Sequence, residues 1–179
     1  MNETAERLMD LAEARIREAG YRGFSFRDLA AEIGIKSASV HHHFPTKAGM
    51  AAAVARRYGD RFFELVARRG DESGDEVIAI YRSAFRGAIE RDGRMCLNGV
   101  LGAEAGGLPA EVVAEIELFF RRCIDDLSSR IGGADAVGRA FHVMAALEGG
   151  LILARAYHDI SAFDQATAGL TGPTFAVAG

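Results

Sequence analysis

The chain has 179 residues, a net charge of −4 and 49% hydrophobic residues, enough apolar material for the core of one or two domains. Two cysteines, Cys96 and Cys123, lie far apart in the sequence, which favours reduced thiols over a disulfide framework. We find neither a secretory signal nor an apolar run long enough to span a bilayer, so we expect a cytoplasmic protein without a membrane partner.

The charge is unevenly distributed along the chain. Residues 1–70 hold twelve Lys and Arg against nine Asp and Glu, a net +3, and the remaining residues carry −7. Within residues 22–57 six basic residues face two acidic ones, and three histidines add to them. Such a local excess is typical of a surface that contacts phosphates, and salt screens the acidic half beyond about 8 to 10 Å.

The first seventy residues contain start and stop signals for four helices. An apolar stripe with helical spacing is followed by Gly20; its members are Leu8, Leu11, Ala12, Ile16 and Ala19. Ser25 stands three residues before Asp28 and is the expected N-cap of a second helix, which Gly34 should end in a left-handed conformation.

A third, short helix is expected from Ser37, its predicted N-cap, to the residues before Pro45. Thr46 should then cap a longer helix, whose apolar stripe includes Met50, Val54, Tyr58, Phe62 and Leu65. On the short helix only Val40 and Phe44 are plainly apolar, so its other residues are expected to face outward. By spacing alone, a helix that enters a DNA groove and an ordinary helical hairpin are about equally favoured.

Helical periodicity continues through the rest of the chain, and no strand pattern competes with it. We expect helices ending near Asp92, from Cys96 to Ala105, from Pro109 to Gly132, from about Ala134 to Tyr157, and from Ser161 to about Leu170. Gly149 and Gly150 interrupt the penultimate helix among other small residues. Close approach across a dimer would explain them, and so would tight packing within one subunit.

The segments GFSFRDLA and HHHFPTK, with the Gly34 turn between them, resemble the N-terminal domain of the TetR family of bacterial transcriptional repressors. The resemblance covers the first third of the chain and implies an all-α fold with a three-helix helix-turn-helix domain, residues 1–48. Residues 49–179 would form a helical effector-binding and dimerisation domain. His41 departs from the family, which usually has tyrosine there.

The resemblance also implies which residues contact DNA. These are Arg27, Lys36, Ser37, Ala38, Ser39, His41, His42, Thr46 and Lys47. His43 corresponds to a histidine common in the family, but it falls beside Val40 and Phe44, so a packed role is equally plausible. A dimer would place two reading helices in successive major grooves of a palindromic operator.

An effector pocket is expected among the middle helices, although most aromatic residues at helical spacing are simply core. The candidate lining residues are Phe62, Phe63, Val66, Tyr81, Phe85, Met95, Cys96, Phe119, Phe120, Phe141 and Met144. Residues 94–113 resemble the TetR subgroup that includes the N-ethylmaleimide reductase repressor, in which a cysteine senses electrophiles or oxidants. This resemblance suggests a sensing role for Cys96, whose thiolate Arg94 could favour, while an inert buried thiol is the alternative.

Other classes of protein fit the sequence less well. Consecutive helical residues point about 100° apart, so the three histidines cannot converge on a metal ion, and we expect no metal or cofactor. There is no phosphate loop, nucleophile elbow or metalloprotease motif, so we do not expect an enzyme. The alternative to a ligand-responsive DNA-binding regulator is a helical protein-interaction module that does not bind DNA.

Overall fold

The computed structural model of the chain describes residues 3–171, and every regular element in that range is helical, as the periodicity predicts. The α-helices follow one another in this order: α1 Glu3–Ala19, α2 Phe26–Ile33, α3 Ser37–His43, α4 Lys47–Leu65, α5 Gly74–Asp92, α6 Leu97–Ala103, α7 Ala110–Ile131, α8 Ala136–Tyr157 and α9 Ser161–Thr167. Short 3-10 turns cover Tyr21–Gly23, Ala105–Gly107 and Ala168–Leu170.

Local capping signals account for most helix boundaries. The Ser25 hydroxyl accepts a hydrogen bond from the Asp28 amide at the start of α2, and Gly34 ends that helix with φ of 74°. The Thr46 hydroxyl accepts the Gly49 amide at 2.9 Å at the start of α4. The prediction for α3 was wrong by one residue, because Ser37 is already helical and Lys36 precedes it without a side-chain cap.

The chain divides into two compact units. The N-terminal unit contains the residues up to Arg61 together with Leu97–Phe119, and the C-terminal unit contains Phe62–Cys96 with the residues from Phe120 onward. Helices α4 and α7 each contribute to both units.

In the N-terminal unit, α1 packs against α2, α3 and α6. Its fully buried residues include Leu8, Ala12 and Ile16, the centre of the predicted stripe. Ion pairs also join α1 to α4: Arg57 lies 2.8 Å from carboxylate oxygens of both Glu6 and Asp10. These ion pairs hold α4, which follows the helix-turn-helix, against α1, which precedes it.

In the C-terminal unit, α8 packs against α5 and α9. Asp164 of α9 accepts hydrogen bonds from Arg82 at 2.9 Å and from Arg86 at 3.0 Å, which ties α9 to α5. A Cβ added to Gly150 would lie 3.0 Å from the Phe163 ring, so this glycine permits close packing of α9 within the subunit. Gly149 has open space around it. Of the two explanations offered for the glycine pair, packing within one subunit therefore holds for Gly150.

Helix α8 is apolar on several sides. By length and composition it is the one helix of the described chain that could cross a membrane, with a mean hydropathy of 1.3 over 18 residues. The expectation that no such apolar run exists was wrong, because small and aliphatic residues raise the mean hydropathy of this helix. Core helices of soluble proteins have the same composition.

Candidate nucleic-acid interface

Helix α3 presents a polar face to solvent. The side chains that the sequence assigns to a DNA groove are exposed, namely Lys36, Ser37, Ala38, Ser39, His41 and His42. The opposite side is anchored by Val40, which is fully buried, and by Phe44, which is 8% exposed. Small residues at the start of the exposed face let a groove wall approach the helix backbone closely.

Two aromatic contacts fix the histidines of α3. The His41 ring meets the ring of Phe26, the first residue of α2, edge to face with centroids 4.9 Å apart. The rings of His42 and His43 have centroids 5.6 Å apart, and His43 is half-buried. Packing against α2 thus orients the imidazole that stands where the TetR family has tyrosine.

The N-terminus of α4 holds a lysine between two aromatic rings. The Lys47 ammonium nitrogen lies 4.6 Å from the ring centroids of both Tyr21 and Phe24. Burial and the neighbouring Arg22 lower the pKa of Lys47, and the Glu104 carboxylate opposes that shift. The exposed Thr46 precedes it, and backbone N–H groups at a helix N-terminus attract anions. A phosphate would therefore meet a fixed cation beside free amide donors.

Ion pairs reduce the basic excess that the sequence shows between residues 22 and 57. Arg56 pairs with Glu115 of α7, and Arg57 pairs with the acidic residues of α1. Three exposed cations, Arg22, Arg27 and Lys36, form no ion pair with any residue of the described range 3–171. With Lys47 they are the cations available to phosphates. Arg22 was not among the predicted DNA contacts, although its place within the basic stretch was a signal for it.

Comparison with known proteins agrees with this geometry. Residues 8–54 match the family model described as bacterial regulatory proteins, tetR family. A TetR transcriptional regulator from Legionella pneumophila has the same fold over 95% of this chain and 96% of its own, with a TM-score of 0.88 and 29% identity. The chain has the N-terminal domain of the TetR family. A second TetR-family structure, from Agrobacterium tumefaciens, covers 92% of this chain and 94% of its own, with a TM-score of 0.84 and 27% identity.

The similarity to curated relatives is confined to a shorter region. The HTH-type transcriptional repressor KstR2 of Rhodococcus jostii is 38% identical over 64 residues, and its Mycobacterium tuberculosis namesake is 36% identical over 63. The match spans about a third of this chain and about a third of each relative. The reduced form of E. coli NemR covers 98% of this chain and 100% of its own, with a TM-score of 0.81, and at 21% identity it shows a shared fold alone.

The predicted effector-binding residues are mostly buried. In the C-terminal unit the Phe62 ring meets those of Tyr81 and Phe85 edge to face, at 5.5 and 5.4 Å. Other predicted residues that are buried are Val66, Met95, Cys96, Phe119 and Met144; Phe63 and Phe120 are half-buried, and Phe141 is 60% exposed. Phe119 belongs to the N-terminal unit, where its ring would lie 3.3 Å from a Cβ added to Gly59.

Two surface clefts of the C-terminal unit are lined by other residues. One, of about 570 Å³, lies along α5 beside Arg69 and Arg91. The second, of about 410 Å³, lies where α5 and α8 end, beside Arg155 and His158. Neither cleft includes any predicted effector residue.

Cys96 has a carboxyl group for a neighbour. It is 2% exposed and lies near Glu148, a residue that the sequence did not single out and whose buried carboxylate oxygens have no hydrogen-bond partner within residues 3–171. Burial raises the pKa of Glu148 to about 7, and the nearby Cys96 side chain opposes this shift. Arg94, which could have favoured a thiolate, forms an ion pair with Asp92 at 3.2 Å. A neighbouring carboxylate disfavours a thiolate, so these surroundings favour an inert buried thiol.

Proposed function

We propose that this chain is a ligand-responsive transcriptional regulator that binds a palindromic operator as a homodimer, represses transcription and is released by a small-molecule effector. The observation that carries the proposal is the exposed polar face of α3, flanked by cations that form no ion pair with any residue from 3 to 171. Phosphate contacts from such cations position a protein on duplex DNA, and the groove-facing helix reads base edges. As a DNA-binding regulator, it would act in the cytoplasm.

In this proposal each group of predicted residues has a distinct task. Ser37, Ala38, Ser39 and His41 read bases in the major groove, and His42 assists them. The phosphates are held by the predicted residues Arg27, Lys36, Thr46 and Lys47, together with Arg22. Similarity to the HTH-type transcriptional repressor KstR2, at 38% identity over 64 residues, supports repression.

The dimer is proposed to form through α8. This helix exposes large apolar side chains in the absence of a partner, and the most exposed are Val137, Phe141, Ile152 and Tyr157, at 57%, 60%, 57% and 69%. Gly149 leaves open space on the same helix for a close neighbour. Large exposed apolar side chains on one helix are typical of an interface. Sedimentation of Ile152→Glu against Leu118→Glu, a 48% exposed apolar residue on α7, would test the assignment.

The effector is proposed to bind beside the buried aromatic residues of the C-terminal unit, around Phe62, Tyr81, Phe85 and Met144, with Val66, Cys96 and Phe120 as further lining. Release by 100-fold requires about 2.8 kcal/mol of difference between the effector's affinities for the bound and released states. Repacking of Phe62 against its aromatic neighbours is one way to separate two such states.

Selection from a randomised duplex library with the full-length chain tests the DNA-binding function. We expect enriched sequences with two inverted half-sites, bound with strong salt dependence. If the four available cations of each subunit each meet one phosphate, the slope of log K against log salt reaches about −7 for a dimer. Absence of binding, or a flat response to salt, would favour the helical protein-interaction module instead.

A further inference from the structure

We propose that Glu104, which lies outside the helix-turn-helix sequence, is a positioning residue for DNA binding; this inference rests on the proposed function. Its carboxylate accepts a hydrogen bond from the backbone N–H of Tyr21 at 2.9 Å, across 83 positions of sequence. Glu104 follows α6 and lies in the segment Leu97–Phe119. This segment belongs to the N-terminal unit, although it is outside residues 1–48. It therefore supplies a contact that the three-helix domain cannot make by itself.

The turn between α1 and α2 is shaped to receive this carboxylate. Gly20 has φ of 73° and ψ of −168°, a combination that essentially only glycine adopts. A Cβ placed on Gly20 would lie 1.9 Å from Oε1 of Glu104, so any side chain at residue 20 would displace the carboxylate from this position. The carboxyl group thus rests directly against the backbone at residue 20 while it binds the amide of residue 21.

The same turn holds the cation at the start of α4. Tyr21 and Phe24, at either end of this short segment, are the two rings that flank the Lys47 ammonium group. Glu104 also acts on Lys47 directly, because its negative charge favours the protonated amine. By fixing the Tyr21 backbone, the carboxylate fixes one wall of the lysine site, and with it the direction in which the ammonium group faces a phosphate.

Three substitutions in the full-length chain separate the effect of the Glu104 hydrogen bond from the effect of its negative charge. Glu104→Gln keeps the side-chain length and an acceptor oxygen but removes the charge. Glu104→Asp keeps the charge but shortens the side chain by one methylene group. Glu104→Ala removes both the charge and the acceptor oxygen. Glu64→Gln is the matched control, because this exposed glutamate on α4 forms no hydrogen bond or ion pair with any residue from 3 to 171. Thermal unfolding verifies that each variant is folded.

Hydrogen exchange of the peptide that covers residues 20–26, measured without DNA, reports on the turn. We expect exchange at Tyr21 to accelerate about tenfold in Glu104→Ala and Glu104→Asp, as for one lost hydrogen bond, and to stay near wild type in Glu104→Gln, which keeps an acceptor oxygen. Fluorescence anisotropy with the selected duplex should show the same order, with affinity about tenfold weaker in Ala and Asp.

The outcomes separate this inference from the function on which it rests. If wild type binds DNA and Glu104→Asp and Glu104→Ala bind equally well, the positioning role is refuted. Equal loss in Glu104→Gln and Glu104→Ala refutes it too, because charge rather than the hydrogen bond would then matter. If wild type binds no duplex, the regulator function fails and the positioning role for DNA binding fails with it. The exchange data would in that case still decide whether Glu104 holds the turn.

Discussion

Replacement of Lys47 by alanine tests the candidate interface most directly, because this side chain has a packing role in the structure and a separate, proposed role in DNA binding. Its ammonium group lies 4.6 Å from the centroids of two aromatic rings, and it stands at the N-terminus of α4 where a phosphate is expected. The first role affects folding stability and the second affects DNA affinity. Lys47→Arg retains the cation and can still stack on Tyr21 and Phe24.

The magnitudes of the two effects follow from the geometry. Each cation–π contact at a partly exposed site contributes about 0.5–1 kcal/mol, so Lys47→Ala should lower the free energy of unfolding by about 1–2 kcal/mol. One lost phosphate contact per subunit reduces the slope of log K against log salt by about 1.8 for a dimer. The ratio of wild-type to variant affinity should therefore fall about tenfold between 50 and 200 mM salt.

Fluorescence anisotropy titrations at several salt concentrations measure this ratio, and urea denaturation measures stability. Arg91→Ala is the charge-matched control, because it removes one cation from α5 in the C-terminal unit. Lys47→Arg should retain the wild-type slope. An affinity ratio for Lys47→Ala that does not vary with salt would refute the phosphate contact, whatever the loss of stability.

Three further predictions concern stability. Gly20→Ala should destabilise the chain by about 1–3 kcal/mol in thermal unfolding, because residue 20 has a positive φ and faces a carboxylate; a neutral effect would contradict that conformation. Tyr81→Phe should cost about 1–2 kcal/mol in urea denaturation, since the buried hydroxyl donates to Asp126 at 2.7 Å, and unchanged stability would show that the bond contributes nothing. The hydrogen bond from Arg86 lowers the pKa of Asp164, so the stability it provides is present above the unfolded-state pKa of about 3.9 and is lost as pH falls through the folded-state value. The difference in melting temperature between wild type and Asp164→Asn should accordingly shrink below about pH 4, and a difference independent of pH would refute this linkage.

The sequence alone determined the helical elements and most of their boundaries. Ser25, Thr46, Gly34 and Gly93 act on backbone groups within a few residues, so their effect can be inferred without knowledge of the fold. The exposed face of α3 followed from the spacing of Val40 and Phe44 for the same reason. The spacing of apolar residues along one helix is a local property, so it does not depend on how the helices pack against one another.

Only the tertiary structure decided which distant residues meet. The contact of Glu104 with Tyr21 depends on the return of α6 to the N-terminal unit, and the close approach at Gly150 depends on where α9 docks. The count of basic residues between 22 and 57 also overestimated the number of cations available to phosphates, because Arg57 is paired with residues of α1. Pairings across tens of residues are set by how whole helices pack against one another, and the spacing of residues along a single helix contains no information about that packing.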